Sequence, residues 1–451
     1  MTLWGGRPSD LAWSYTTDDS DRRLLIFDLK GSLAHARMLG ATGAIDTGDA
    51  ERLLQGLTQL LEEAQRGAFT FETSDEDVHS AVERRLREVI GDAAGSLHTG
   101  RSRNDQVVLD LRLYLAASGA ERRSQLQELA VTLAGLAESH VSTVVPTYTH
   151  LQQAQPTSLG HHLLAHAWAA LRSADRFSDA LQRVSQSPLG SGASSGSSFP
   201  LDRQAVADEL GMGGVMPNSL DAVGSRDFVA EYVFVSAQAM ADLSRLADEV
   251  VLWATSEFGW VTLSPDVSTG SSALPQKRNP DVAELIRGRS ASVFGDMTSI
   301  LVLQKGLPLA YNRDFQEDKR IVFDADDILA ASIAAMVEVL GGLTFHVPPP
   351  HPNTVALDLA EVLVAKGVPF REAHNAVAVL VEKLRKDGRD LAAAAGEDLA
   401  AAHSELGEAD LAGLDPATSL ARRRSPGAGN EESVHEQVAA VRRRATGRNL
   451  G

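Results

Sequence analysis

The 451-residue chain carries 42 Lys and Arg against 60 Asp and Glu, a formal net charge of −18, with 43% hydrophobic residues and no cysteine. That balance argues against nucleic acid or an anionic membrane surface as partner and for a small molecule held by local cationic clusters. Without thiols there are no disulfides and no thiolate metal sites; with no basic-then-apolar leader in residues 1–10 and no apolar run of about 18 residues, the expectation is a cytoplasmic protein without a membrane span.

The length exceeds one ordinary core. The chain reads as an all-α protein: a helical N-terminal domain (1–103), a central long-helix bundle (104–350) and a small helical C-terminal domain (351–451). Residues 22–39 and 46–66 predict two helices, the second capped by Asp46 or Thr47, and 75–90 a third, with Asp75, Glu76 and Asp77 at its positive end. Then comes a polar knot, L-H-T-G-R-S-R-N-D-Q-V (97–107). It reads either as a turn capped by Asn104 or Asp105 or as a carboxylate site built from Ser102, Arg103 and Asn104. Long helices are predicted over 104–140, 158–187, 227–258, 282–305 and 314–340, the third an apolar rod of about 48 Å. So apolar a circumference needs surrounding helices, and an oligomer is expected.

Polar segments punctuate these helices. In T-Y-T-H-L-Q-Q-A-Q-P (147–156), His150 reads either as a proton-transfer group or as a hydrogen-bonded structural histidine. His162 and His166, at i and i+4, have metal spacing but neither H-E-x-x-H nor a third ligand nearby, and no metal is expected. The Gly/Ser stretch 189–198 runs straight into Phe199, Pro200 and Leu201, which favours a loop packed on the core over a linker. In S-T-G-S-S-A-L-P-Q-K-R-N-P-D-V-A-E (268–284), Pro275 and Pro280 fix the backbone, so Ser271, Lys277 and Asn279 should be held in one pose. Tyr311, Gln316 and Lys319, in P-L-A-Y-N-R-D-F-Q-E-D-K-R (308–320), can share a helical face, or the segment is a solvated helix start capped by Asp314.

G-S-S-A-L-P-Q-K-R-N-P (270–280) resembles the signature of the aspartase and fumarase superfamily, and the motifs at 97–107, 147–156 and 310–319 narrow the likeness to its argininosuccinate lyase family. The resemblance runs from L-W-G-G-R (3–7) and D-L-K-G-S-L-A-H (28–35) through F-P-L-D-R (199–203) and N-S-L-D-A-V (218–223) to R-S-P-G (424–427). It implies a homotetramer with a twenty-helix core, sites shared between three subunits, and cofactor-free reversible elimination of argininosuccinate to arginine and fumarate. By the same resemblance Ser271 is the base, His150 paired with Glu284 protonates the leaving nitrogen or helps charge the site, and Thr149 holds the substrate; the carbanion chemistry itself suits Lys277 and Asn279 to receive the developing charge. Ser32, His98, Ser102, Arg103, Asn104, Gln155, Tyr311, Gln316 and Lys319 match substrate-binding positions or lie beside them. Departures fall at Gly224 and Ser225, where S-D is usual, at Gln153, where Arg is frequent, and at Leu274, Ser194 and Ser195. They leave open a sister lyase acting on another N-substituted aspartate; a silent crystallin-like relative is the other alternative.

Overall fold

The computed structural model describes residues 9–17 and 19–447, so the 3–7 motif lies outside them. Among those residues there are sixteen α-helices and only three two-stranded sheets, and the all-α expectation holds. The helices before the middle of the chain are α1 (Asp10–Thr16), α2 (Leu25–Ala41), α3 (Thr47–Gln65), α4 (Val78–Ile90), α5 (Arg103–Ser139) and α6 (Leu159–Val184). Then follow α7 (Arg203–Glu209), α8 (Ser219–Gly224), α9 (Asp227–Trp253), α10 (Asp281–Gln304) and α11 (Asp318–Gly341). The sheets pair β1 (Val144–Thr149) with β2 (Gln152–Ser158), β3 (Val261–Leu263) with β6 (Leu343–Phe345), and β4 (Thr269–Gly270) with β5 (Arg278–Asn279).

Helix ends follow local chemistry. Asp46 caps α3 by accepting from the Gly48 amide at 2.8 Å, and α4 opens on a reciprocal box in which Asp77 accepts from Ser80 N and Ser80 Oγ from Asp77 N. Each such cap is worth about 1 kcal/mol. Two expected starts shift: a 3-10 turn, Asp19–Leu24, precedes α2, and another, Arg313–Glu317, precedes α11, so Asp314 is not its cap. The rod expected over 227–258 stops at Trp253, giving about 40 Å for its 27 residues. There Thr255 Oγ1 donates to Leu252 O at 2.7 Å and accepts from Phe258 N, while Trp260 N turns back to Trp253 O at 2.9 Å. These bonds satisfy the helix's terminal carbonyls and launch β3, so the next helical turn has no partners left to gain.

The chain forms two compact units. One comprises the described residues up to Ser124 with Asp175–Met240 and Arg289–Ala330; the other comprises Gln125–Ala174, Ala241–Gly288 and the residues from Ala331 onward. In the first, Met38, Leu39, Leu109, Leu189 and Val206 form one buried cluster, which anchors the start of the Gly/Ser stretch in the core as expected. Deeper, Asp326 accepts from Tyr114 at 3.0 Å and Tyr232 at 2.6 Å, and Phe177 meets Tyr232 edge-on. In the second unit Trp253 stacks on Trp260. Helices α12 (Ala356–Ala365) and α13 (Phe370–Lys386) close over Leu359, Leu363, Leu380 and Leu384. Each fully buried leucine contributes roughly 2 kcal/mol. Among the described residues no helix is long and apolar enough to cross a membrane.

Helix α10 is the least covered of the long helices. It buries Ala283, Ile286, Ser290, Val293 and Ile300, a three-four seam, and leaves Leu285, Phe294, Leu301 and Val302 exposed at 41–63%.

Candidate active site

In the first unit a cavity of about 230 Å³ gathers Arg103 and Asn104 from the start of α5 with Tyr311, Gln316 and Lys319 from the approach to α11. Ser20, Asp21, Glu76, Asp77, His79 and Arg313 also line it, so the wall carries acids as well as cations. Two segments two hundred residues apart in sequence therefore meet in one place. Arg103 reaches Asp77 at 2.5 Å and Glu83 at 3.5 Å. Burial works to raise the Asp77 carboxyl, but His79 and Arg103 outweigh it and hold Asp77 below the usual range. Asp21 has no such surplus of cations, and burial pushes it up to about 6.

Lys319 is positioned by a buried chain of charges. Its Nζ donates to Asp318 Oδ1 at 2.9 Å and to Phe315 O at 3.4 Å. On the other side of Asp318 lies Arg226, wholly buried, donating through Nε, with its guanidinium 4.4 Å above the Phe315 ring. Burial tends to raise Asp318, yet Lys319 and Arg226 keep it ionised below the usual carboxylate range. The sequence reading gave Arg226 and Asp318 no role; they pair across 92 positions, which no local pattern shows.

Gly224, a departure from the family pattern, has a steric reason. A Cβ there would lie 2.8 Å from Ala310 O and 2.9 Å from Ala310 N, where Ala310 adopts φ 65° and leads into Tyr311. Backbone on both sides cannot step aside cheaply. Gly224→Ala is expected to displace Tyr311, raise KM several-fold and cost about 1–3 kcal/mol, as initial-rate kinetics and thermal melting would register.

The knot at 97–107 is more built than a solvated turn. The α-helix starts at Arg103, and Asp105, instead of only capping it, accepts from Ser102 N at 2.9 Å and from Gly190 and Gly192 N at 3.0 and 2.8 Å. Asn104 Nδ2 donates to Ala193 O at 3.1 Å. The knot and the Gly/Ser loop thus form one structure. Ser102 Oγ accepts from Asn104 N at 3.3 Å. Neither Ser32 nor His98 lines the cavity: Ser32 is buried, accepting from Arg101 at 2.9 Å, and His98 faces Glu83 at 3.4 Å.

The second unit holds the remaining candidates. The segment 147–156 is not a loop between helices but the hairpin β1–β2, with Thr149 opposite Gln152. His150 and Leu151 form its two-residue turn, both at φ 55° and both exposed. A turn with two left-handed central residues is normally Asn-Gly; His-Leu there is strained, and the hairpin's pairing must hold it. Gln155 is tied by backbone, its N donating to Thr147 Oγ1 at 3.1 Å and its O accepting from it at 3.0 Å. Gln153, another departure, accepts from His351 N at 2.9 Å.

The signature loop is closed by β4 and β5, which pair Thr269 with Asn279 and Gly270 with Arg278. Ser271 Oγ accepts from Ala273 N at 3.3 Å and Leu274 N at 3.0 Å, so two amides already point at the oxygen that would carry charge. Lys277 is exposed on the same loop, and Asn279 sits half-buried at its closing rung. After Pro280, whose carbonyl accepts from Glu284 N at 3.0 Å, Glu284 is exposed in the first turn of α10. Among the described residues no hydrogen bond or ion pair within the chain joins His150 to Ser271 or Glu284.

Comparison with known proteins gives the chain its family. A family model described as "Lyase" matches residues 6–295, and one described as "Argininosuccinate lyase C-terminal" matches 353–421. The chain is 45% identical over 450 residues to the argininosuccinate lyase of Symbiobacterium thermophilum, covering 97% of each, and 46% identical over 452 residues to that of Frankia casuarinae, covering 98% of this chain and 97% of the relative. Among solved structures it is similar to an EDDS lyase in complex with formate, with a TM-score of 0.81 at 26% identity, over 98% of this chain and 91% of that one. A 3-carboxy-cis,cis-muconate lactonizing enzyme from Pseudomonas putida shares the fold alone, with a TM-score of 0.73 at 19% identity over 97% of this chain and 100% of that one.

Proposed function

The chain belongs to the argininosuccinate lyase family, and from that premise we propose how its residues carry out the family's reaction, the reversible β-elimination of argininosuccinate to arginine and fumarate. The observation that carries the reading is the cavity in which Arg103, Asn104, Tyr311, Gln316 and Lys319 converge. Cations and neutral donors in one small space suit a dicarboxylate.

The hydroxyl of Ser271 gives its proton to solvent and so becomes the base, its alkoxide stabilised by the Ala273 and Leu274 amides and by Lys277. It takes the proton from the carbon beside a carboxylate. The resulting charge flows into that carboxylate, which Lys277 and Asn279 receive. The carbon–nitrogen bond then breaks, and His150, paired with a Glu284 from another copy, hands a proton to the departing nitrogen. Thr149 and Gln155 hold substrate at the hairpin, and Ser32, His98 and Ser102 support the cationic wall from behind. No cofactor or metal enters the scheme.

Thr149, His150, Lys277 and Glu284 are all exposed in a single chain, which fits a site completed by other copies. The apolar residues left open on α10 supply a surface for such copies, and the assembly we propose is a homotetramer of about 192 kDa, four chains of 48.1 kDa. Its setting is the cytoplasm.

Gly224 leaves no room for a Cβ and Gln153 accepts from His351 N, local causes that call for no different leaving amine; Ser225 is the departure that removes a carboxylate. The test is the fumarate absorbance with argininosuccinate, coupled to identification of the amine. Arginine and fumarate in equal amounts are expected; fumarate released only from another N-substituted aspartate would overturn the reading.

A further inference from the structure

Helices α6 and α9 bring together three metal-binding side chains that the proposed chemistry does not use. His162 and His166 stand one turn apart on α6, and both Nε2 atoms reach the same oxygen, Oε2 of Glu249 on α9, at 2.7 and 2.8 Å. All three donor atoms lie within 4.8 Å of one another. Glu249 is the third ligand that the sequence around the two histidines lacks.

We propose that His162, His166 and Glu249 form a binding site for a divalent transition metal of the zinc class, joining α6 to α9. Two imidazoles and a carboxylate suit Zn²⁺ or Co²⁺; Mg²⁺ and Ca²⁺ take all-oxygen sets. The i, i+4 spacing puts both rings on one helix face, as in helical zinc sites. In tetrahedral coordination at about 2.0–2.2 Å per bond, donors stand about 3.3 Å apart. An ion therefore enters by parting the carboxylate from the rings by roughly half an ångström, a rotamer-scale movement. On entry each ring presents its Nε2 lone pair, its proton moving to Nδ1 or leaving to solvent. The side chains are 26%, 13% and 34% exposed, which leaves an entry path and a fourth position for water. The Trp253 ring meets His162 edge-on at 5.3 Å, limiting the rotation of that ligand.

The proposal is independent of the catalytic reading, and its test reads metal directly. Tag-free, chelator-treated full-length protein would be titrated with Zn²⁺ by calorimetry and with Co²⁺ by visible absorption. One equivalent per chain with a Kd of about 10 µM or tighter is expected, with a Co²⁺ d–d band, partial quenching of tryptophan emission by Co²⁺ and a raised Tm in Zn²⁺. In Glu249→Gln and His166→Gln, checked for native circular dichroism, affinity should fall at least about tenfold. Should either variant misfold, competition of Zn²⁺ against Co²⁺ on the wild-type chain decides: loss of the Co²⁺ band at one equivalent of Zn²⁺ supports the site. Absence of a saturable signal at about 100 µM free metal, or binding unchanged in both folded variants, overturns it.

Discussion

Ser271→Ala is expected to lower kcat for fumarate formation by about a thousandfold with little change in KM. The Ser271 oxygen accepts from two loop amides, and alanine removes that oxygen while leaving the β4–β5 pairing that closes the loop. The binding wall in the other compact unit is untouched, so substrate affinity should persist. His150→Asn should fail to a similar degree. The informative experiment combines the two. In a site shared between chains, a site with both wild-type residues forms whenever the chain giving Ser271 and the chain giving His150 are each intact there. With subunits exchanged at random from equal amounts of the two variants, that is about one quarter of the sites. Recovery toward a quarter of wild-type activity supports the shared site. No recovery from an exchanged mixture would place both residues on one chain. Near-normal turnover in Ser271→Ala together with a dead His150→Asn would move the base to the histidine.

What the sequence made legible was set by how local the cause was. The long helices were visible because their apolar periodicity lies within the segment itself, and Asp46 announced its cap within two residues; Asp77, expected inside the first turn of a helix from 75, is instead the cap of one that starts at Val78. The convergence of Arg103 and Asn104 with Tyr311, Gln316 and Lys319 was not legible from periodicity; only the family resemblance grouped them. The hairpin was missed because its turn is His150-Leu151, without the Gly, Asn or Asp that marks a two-residue loop, and because Pro146 and Pro156 stand opposite each other in its strands. Its strain is tolerable only because the hairpin holds it, and local propensity contains no record of that. Asp105 looked like a helix cap; its bonds to Gly190 and Gly192 span more than eighty residues. The third ligand to His162 and His166 lies likewise on a distant helix.

Arg226→Met should be the most destabilising single change in the cavity unit, at about 3–5 kcal/mol, read as a lowered denaturation midpoint. Arg226 and Asp318 are both fully buried, and removing the guanidinium leaves Asp318, among the described residues, with Lys319 as its ion-pair partner. A carboxylate out of water must then be neutralised by drawing that lysine closer or by taking up a proton. Either response moves Lys319 out of its pose at the cavity, so KM should rise along with the loss of stability. The sign with pH follows from Asp318, whose folded pKa lies below its usual value: its stabilisation is present at neutral pH and is lost as pH falls through that folded pKa. In the variant that loss should begin at higher pH. The double change Arg226→Met with Asp318→Leu separates the two roles. Replacing both ions by apolar groups of similar volume removes the unpaired charge and should restore most of the stability. It cannot restore the oxygen that holds Lys319 at 2.9 Å, so KM should stay raised. Were KM to recover together with the midpoint, the buried pair would serve packing alone and Lys319 would find its pose without it.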